Sequence, residues 1–245
     1  MAESPSRGTI LARLNDADSY LWRQNYITTF LERDVPNLGF HIPSNQIRRF
    51  WMMLAHYHGQ IFNATEIGRS LGISAHTVRK YLDILAGTFM IRILLPWFEN
   101  LQKRQVKSPK IYFRDSEVLL ALSGISDGKQ LHTYPRLGSF WEGFALEEVI
   151  RSLQASEEEC YFWATQGGAE LDLLIIKNGK RLGFEIKYSD SPKVTKSMRI
   201  ALSDLQLDQL IVMYPGTRIF PLSESITCVG FDALPTKEFQ DLLGI

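Results

Sequence analysis

The chain has 245 residues, 45% hydrophobic, 11% aromatic and 22% charged, with 27 Lys+Arg balancing 27 Asp+Glu. This composition excludes disordered, collagen-like and disulfide-scaffold classes and supplies enough apolar mass for one or two cores. No apolar run approaches the roughly 18 residues a membrane span needs, and zero net charge argues against an unspecific nucleic-acid binder.

The opening Met1-Ala2-Glu3-Ser4-Pro5 is polar and lacks a basic-then-apolar leader, so no signal peptide is expected. Cys160 and Cys228 both lie inside apolar runs, which reads as reduced, buried thiols of a cytoplasmic protein. The charge is unevenly spread. Residues 1–130 hold 16 basic and 11 acidic side chains (+5), and residues 131–245 hold 11 and 16 (−5). A basic half joined to an acidic half points to two modules with different jobs.

In chain order, a helical arm is expected at about 16–35, stopped by Pro36 and Gly39, and a helix at about 44–58 between Ser44 and Gly59. Short helices follow at about 64–71 and 75–86. Apolar strands at about 89–97 and 110–114 flank a basic loop, and a short helix covers 116–123. The polar stretch 124–137, with Gly124, Gly128 and Pro135, reads as a linker. A helix at about 139–153 then precedes strands Cys160–Thr165, Glu170–Lys177, Arg181–Tyr188 and Gln209–Tyr214. A helix at about 195–206 lies between the last two. A strand near 226–231 and a helix at about 235–243 end the pattern. This is an α/β (α+β) architecture with a mixed sheet in its second half.

In Thr65–Leu85, the apolar positions Ile67, Leu71, Ile73, Val78 and Leu82 fit two short helices crossing over one small core. Gly72 supplies the turn and Ser74 the cap. The start of the second helix offers His76, Thr77, Arg79 and Lys80, the donors of a recognition helix. The loop that follows puts Lys103, Arg104, Lys107 and Lys110 within eight residues, suited to a phosphate backbone. The alternative is a helical block used for protein docking, with solvated loop lysines.

Asn178-Gly179 between alternating strands is a strong hairpin signal. A two-residue turn there sets Leu171 opposite Ile186, Leu173 opposite Phe184 and Ile175 opposite Leu182, making one face apolar. It also sets Asp172 opposite Glu185 and Glu170 opposite Lys187. Facing carboxylates repel unless a cation sits between them, and hard oxygen ligands suit Mg²⁺ or Mn²⁺. Lys187 shares their face, where it is able to stabilise charge on a phosphate. On the preceding helix, Glu142 falls in the stripe of Ala145, Leu146, Val149 and Leu153, where a carboxylate needs a partner. Glu148 is a second candidate. The alternative is an exposed sheet face with cross-strand ion pairs.

The pattern Asp172…Glu185-Ile186-Lys187 resembles the motif of the PD-(D/E)xK nuclease superfamily, with its restriction-endonuclease-like fold. Nearly all of residues 10–235 resembles the C-terminal region of bacterial and archaeal AAA-type ATPases of unknown function. The matching segments are Phe30–Pro36, Leu71–Ser74, Lys107–Phe113, Gly138–Phe144 and the Asp172–Lys187 hairpin. The resemblance implies a helical arm over 1–40 left from an ATPase lid, a winged helix-turn-helix domain over 41–130 and a nuclease-like domain over 131–245. It implies catalytic roles for Asp172, Glu185, Lys187 and Glu142, with Asp172 and Glu185 holding Mg (or Mn). DNA is then the expected partner, with an ATPase domain or another protein as a further one, and no membrane. No G-x-x-x-x-G-K-[ST] loop is present, so no ATP site is expected in this chain. Two function classes stay open: metal-dependent phosphodiester hydrolysis, or a non-catalytic DNA- or protein-binding regulatory module on a degenerate nuclease fold. His41, His56, His58 and His132 form no ligand spacing with cysteine, and Trp141, Trp163 and Phe162 read as core.

Overall fold

The computed structural model describes residues 16–100 and 102–244, and the chain divides into two compact units. The first comprises the described residues up to Tyr57, Ala64–Met90 and Asp115–Leu137. The second comprises His58–Asn63, Ile91–Arg114 and the described residues from Gly138 onward. The expected helical arm before residue 16 lies outside the described residues.

The first unit is helical. Helix α1 (Asp16–Thr29) passes through a π-helical turn at Phe30–Asp34 into the short α2 (Val35–Asn37), and Gly39 turns the chain with φ 87°. Helices α3 (Ser44–His56), α4 (Ala64–Leu71) and α5 (Ala75–Gly87) enclose Ile47, Phe50, Leu54, Ile67, Val78, Leu82 and Leu85, all buried. The turn between α4 and α5 follows its residues. Gly72 has φ 71°, and the Ser74 hydroxyl accepts the Thr77 N–H at 3.0 Å. Asp115 caps α6 (Ser116–Leu122) by accepting the N–H groups of Glu117 and Val118. The stretch read as a linker contains a further helix, α7 (Gly128–Thr133), because Asp127 accepts the Gln130 N–H at 2.9 Å and so caps it.

The second unit is built on a nine-stranded mixed sheet. Its strands are β1 (Gln60–Ile61), β2 (Ile91–Pro96), β3 (Lys110–Phe113), β4 (Cys160–Ala164), β5 (Glu170–Lys177), β6 (Lys180–Ile186), β7 (Gln209–Tyr214), β8 (Ile219–Ser223) and β9 (Ile226–Gly230). They are ordered β1-β3-β2-β4-β5-β6-β7-β9-β8. Helices α8 (Leu137–Ser152) and α10 (Lys237–Leu243) cover one face, packing Leu146, Val149 and Phe239 with Leu173, Ile175, Phe184 and Ile211. Helix α9 (Lys196–Asp204) covers the other, where Met198 and Ala201 meet Leu174, Leu210 and Val212. Strands β6, β7 and β9 run parallel and buried, as an α/β sheet covered on both faces requires.

The compact units do not follow a division into 41–130 and 131–245. Strand β2 pairs in parallel with β4 (Leu95↔Tyr161, Pro96↔Phe162), and β3 and β1 add to it in turn. These backbone ladders make the strands between the helices part of the second unit's sheet. The loop after β2 is laid along β4 as well. Trp97 donates its N–H to the Phe162 carbonyl at 2.7 Å and Val106 to that of Ala164 at 2.9 Å.

The turn at Asn178-Gly179 has positive φ at both residues (52° and 77°), as a primed hairpin turn requires. The expected register holds from Lys177↔Lys180 to Leu173↔Phe184 and stops there. Between β4 and β5 the pairing shifts, with Tyr161 opposite Leu174 but Trp163 opposite Leu171. One extra residue is thus accommodated in β5 at 172–173. Leu171 turns to the face of α9 instead of pairing with Ile186, which packs on the α8 face. A bulge of this kind re-aims one side chain, here at Asp172.

Candidate functional site

Four elements of the second unit, and the residue after the last of them, bring charged side chains into one cluster. The first turns of α8 carry Glu142, whose neighbour Gly143 permits a close approach: a Cβ there would lie 2.1 Å from His58 Nε2. Strand β3 contributes Lys110 and Tyr112, two residues apart and so on one face. Strand β5 contributes Glu170 and Asp172, β6 contributes Glu185, and Lys187 follows β6.

Asp172 is 7% exposed, and its Oδ2 accepts the Ile186 N–H at 2.8 Å. The side chain thus fills the place where the backbone ladder ends, and Asp172 is not the ladder partner of Glu185. Glu185 is 5% exposed. Lys187 Nζ lies 2.7 Å from its Oε1, while its Oε2 is buried with no hydrogen-bond partner. Tyr112 donates its hydroxyl to Glu142 Oε1 at 2.7 Å, and Lys110 Nζ lies 3.7 Å from that oxygen. Lys110 also ion-pairs with Glu170 and sits 5.6 Å from the Phe162 ring centroid. Glu170 therefore pairs with Lys110 and not with Lys187. Its backbone is held by Ser197, whose hydroxyl accepts the Glu170 N–H and donates to the Glu170 carbonyl.

The electrostatics follow from four carboxylates meeting two ammonium groups among the described residues. Burial and then the charge of Asp172 push Glu185 up to about 8 and Glu142 up to about 7, against the pull of Lys187 and Lys110. Burial alone would lower both lysines. The carboxylates, Asp172 foremost, outweigh it and hold both above their ordinary value. Burial and the Glu142 charge keep Tyr112 protonated well above the usual phenol range.

Among the described residues no group of three or more His, Cys, Asp or Glu is arranged to hold a metal ion. A two-carboxylate site remains compatible with Mg²⁺, which is commonly held by one or two carboxylates while waters and substrate phosphates fill its other positions. The orphaned Glu185 Oε2 and the hard oxygen donors fit such an ion, with Asp172 and Glu185 as its side-chain ligands.

Sequence reasoning missed Tyr112, and it misplaced Lys110 and Glu170, which pair with each other here. Lys110, expected among the exposed loop cations, is 5% exposed and belongs to the carboxylate cluster, because β3 begins at that residue. The alternation Lys110–Tyr112 on a strand was the available signal. Glu148 is absent from the cluster and ion-pairs with Arg151. The other loop cations, Lys103, Arg104 and Lys107, are exposed, and Lys103 lies 2.6 Å from Asp204. In the first unit, His76, Arg79 and Lys80 are exposed on α5 and Thr77 is half-buried. Cys160 and Cys228 are buried free thiols, pushed up to about 11 by burial, and play no part in the cluster. Phe162 and Trp163 are core, whereas Trp141 is only partly buried. No described helix is long and apolar enough to cross a membrane.

Residues 9–129 match a family described as a domain of unknown function (DUF8612), and residues 137–238 match another described as a domain of unknown function (DUF4143). Uncharacterized proteins of Mycobacterium bovis and Mycobacterium tuberculosis are each 48% identical over 235 residues, covering 96% of this chain and 53% of the relative. The chain thus spans about half the length of the curated relatives it matches. No solved structure matches it. Two domains of unknown function, adjacent in sequence, therefore account for most of the chain.

Proposed function

We propose that this protein is a DNA-binding, divalent-metal-dependent nuclease-like protein that acts by phosphodiester hydrolysis, and that it is the C-terminal part of an AAA-type ATPase architecture. The observation that carries the reading is the buried Asp172–Glu185–Lys187 cluster, in which one Glu185 carboxylate oxygen has no partner. A bound Mg²⁺ or Mn²⁺ would supply Lewis-acid polarisation of the phosphodiester and a water of lowered pKa. Asp172 is oriented by the Ile186 N–H, so its other oxygen is free to bind. Lys187, on the partly exposed side of Glu185, stabilises the charge that develops on the phosphate. Glu142, held near neutrality, accepts a proton from the attacking water.

The DNA-binding part of the reading rests on α5 and on chain order. The chain order α3-β1-α4-α5-β2-β3, with antiparallel strands ordered β1-β3-β2, supports a winged helix-turn-helix reading. His76, Thr77, Arg79 and Lys80 stand on its second helix. Supercoiled plasmid incubated with the full chain and Mn²⁺ should be nicked, and Asp172→Ala and Lys187→Ala should abolish nicking. Equal cleavage by wild type and both variants would overturn the reading.

One observation favours a second reading. Lys110 and Lys187 already serve as internal counter-ions, which suits a non-catalytic DNA- or protein-binding module on a degenerate nuclease fold. Absence of Mn²⁺ binding by calorimetry would select it.

A further inference from the structure

We propose that the aromatic surface beside the carboxylate cluster is a stacking platform for an unpaired nucleobase, so that the site takes a single-stranded or frayed nucleic-acid segment. This rests on the reading of the cluster as a phosphodiester site and adds its substrate class.

The residues that flank the charged cluster in sequence are aromatic. Trp141 precedes Glu142, Phe144 lies one residue beyond Gly143, and Tyr188 follows Lys187. With Phe231, they form one continuous group. Ring centroids are 6.0 Å apart for Trp141–Phe144, 6.0 Å for Trp141–Tyr188, 5.2 Å for Trp141–Phe231 and 5.0 Å for Phe144–Phe231. Trp141 and Phe231 pack against the core and make the floor. Phe144 and Tyr188, each in ring contact with Trp141, are 36% and 47% exposed.

Three features mark this surface as a binding site. Large aromatics left in water lose the favourable burial they would otherwise have, so a contiguous exposed group calls for a partner. No pair in the group is stacked face to face, since interplanar angles run from 36° to 64°, and π-faces remain for another ring. Trp141 Nε1 is buried without a hydrogen-bond partner, which leaves an unmet donor within the group.

The charge pattern selects the occupant. A nucleotide joins an anion to a flat, apolar-faced ring. The protein joins the Lys187 ammonium to the Tyr188 ring through adjacent residues, and Lys187 is 38% exposed at its side chain. A duplex keeps its base faces inside its own stack and offers none to the platform. A splayed strand offers both groups, and stacking on aromatics accepts any base.

The test is equilibrium binding by the full chain in EDTA, so that cleavage plays no part. The probes are a short labelled single strand of mixed sequence, the same strand made abasic, and a blunt duplex. The single strand should bind more tightly than its abasic form. Tyr188→Ala and Phe144→Ala should each weaken it about five- to a hundred-fold, the range of one lost base stack. Tyr188→Phe should restore binding, and the duplex affinity should not move. Equal binding of the abasic strand, or unchanged affinity in both alanine variants, overturns the platform. The outcomes separate from the catalytic reading. A platform effect in a chain that never nicks plasmid retains the base site and discards hydrolysis. Metal-dependent nicking with no effect of Tyr188→Ala on binding does the reverse.

Discussion

Two buried ionic groups sit on α8 within five residues of each other, and they are unlike. Glu147 faces Arg92: Nε engages Oε1, and Nη2 donates to Oε2 at 3.0 Å, with both residues only 6–7% exposed. One positive charge meets one negative charge, and both carboxylate oxygens are occupied. Glu142 belongs to the group in which four carboxylates share two lysines and Glu185 Oε2 has no partner. Burial of charge is common to both, so burial does not mark a site. The unbalanced remainder does, because a structural pair closes on itself while a binding site waits for charge from outside.

The two groups differ most in what the protein loses when the helix carboxylate of each is replaced. Glu147→Ala leaves Arg92 buried without a counter-charge, which costs about 3–5 kcal/mol. At about 2–4 °C per kcal/mol for a protein of this size, the melting temperature should fall by about 10 °C. Glu142→Gln keeps the Tyr112 contact and removes excess negative charge, so it should leave the melting temperature unchanged or raise it. Equal losses in the two variants would erase the distinction between the groups.

Metal binding separates the two groups as well. Titration calorimetry with Mn²⁺ should give a heat that Glu147→Gln retains and that Asp172→Ala and Glu185→Ala remove. With Mn²⁺ present, Asp172→Ala should also lower plasmid nicking by about two to three orders of magnitude, the scale of losing one electrostatic stabiliser of the transition state. A heat that survives both carboxylate variants would put the ion elsewhere.

The pH dependence is smaller and has a definite sign. In the unfolded chain Glu185 ionises near 4.5, and in the folded protein near 8. Below the lower value both states hold the proton. Between the two values only the unfolded state releases it, so stability falls as pH rises across that window. Glu142 acts in the same direction between 4.5 and about 7. Glu185→Gln removes the larger contribution. Its melting temperature should therefore exceed that of wild type by a margin that grows from pH 5 to pH 8. A constant margin would mean that Glu185 is already ionised in the folded protein.

How much of this was legible in the sequence depended on range. The hairpin turn was, because Asn178-Gly179 needs only two residues with positive φ. The register from 173 to 184 was also legible, since alternating side chains on one face enforce it. The bulge at Asp172 was not. It arises from pairing with β4, a strand whose register no local pattern in β5 encodes. Glu142 was found because a carboxylate inside an apolar helical stripe is locally anomalous. Lys110 was hidden among the cations of its loop, and only the pairing of β3 with β2 and β1 shows that it is a strand residue facing the carboxylates. Tyr112 looked like any core aromatic, and its hydroxyl partner lies thirty residues away.

Lys110 also supplies the finest test, because it asks whether a cation belongs to the interior group or to the surface. Each phosphate neutralised by an exposed cation adds about 0.9 to the slope of log Kobs against log salt for duplex DNA. Arg104 and Lys107 are exposed, so Arg104→Ala with Lys107→Ala should flatten that slope by up to about 1.8. Lys103→Ala should do less, because Asp204 already holds its ammonium at 2.6 Å and DNA must compete for it. Lys110→Met should leave the slope where it was, since its ammonium is committed to Glu142 and Glu170 below the surface. A slope change for Lys110→Met as large as that for Lys107→Ala would return Lys110 to the loop. The carboxylate group would then lack one of its two internal counter-charges, and the case for an external cation would strengthen accordingly.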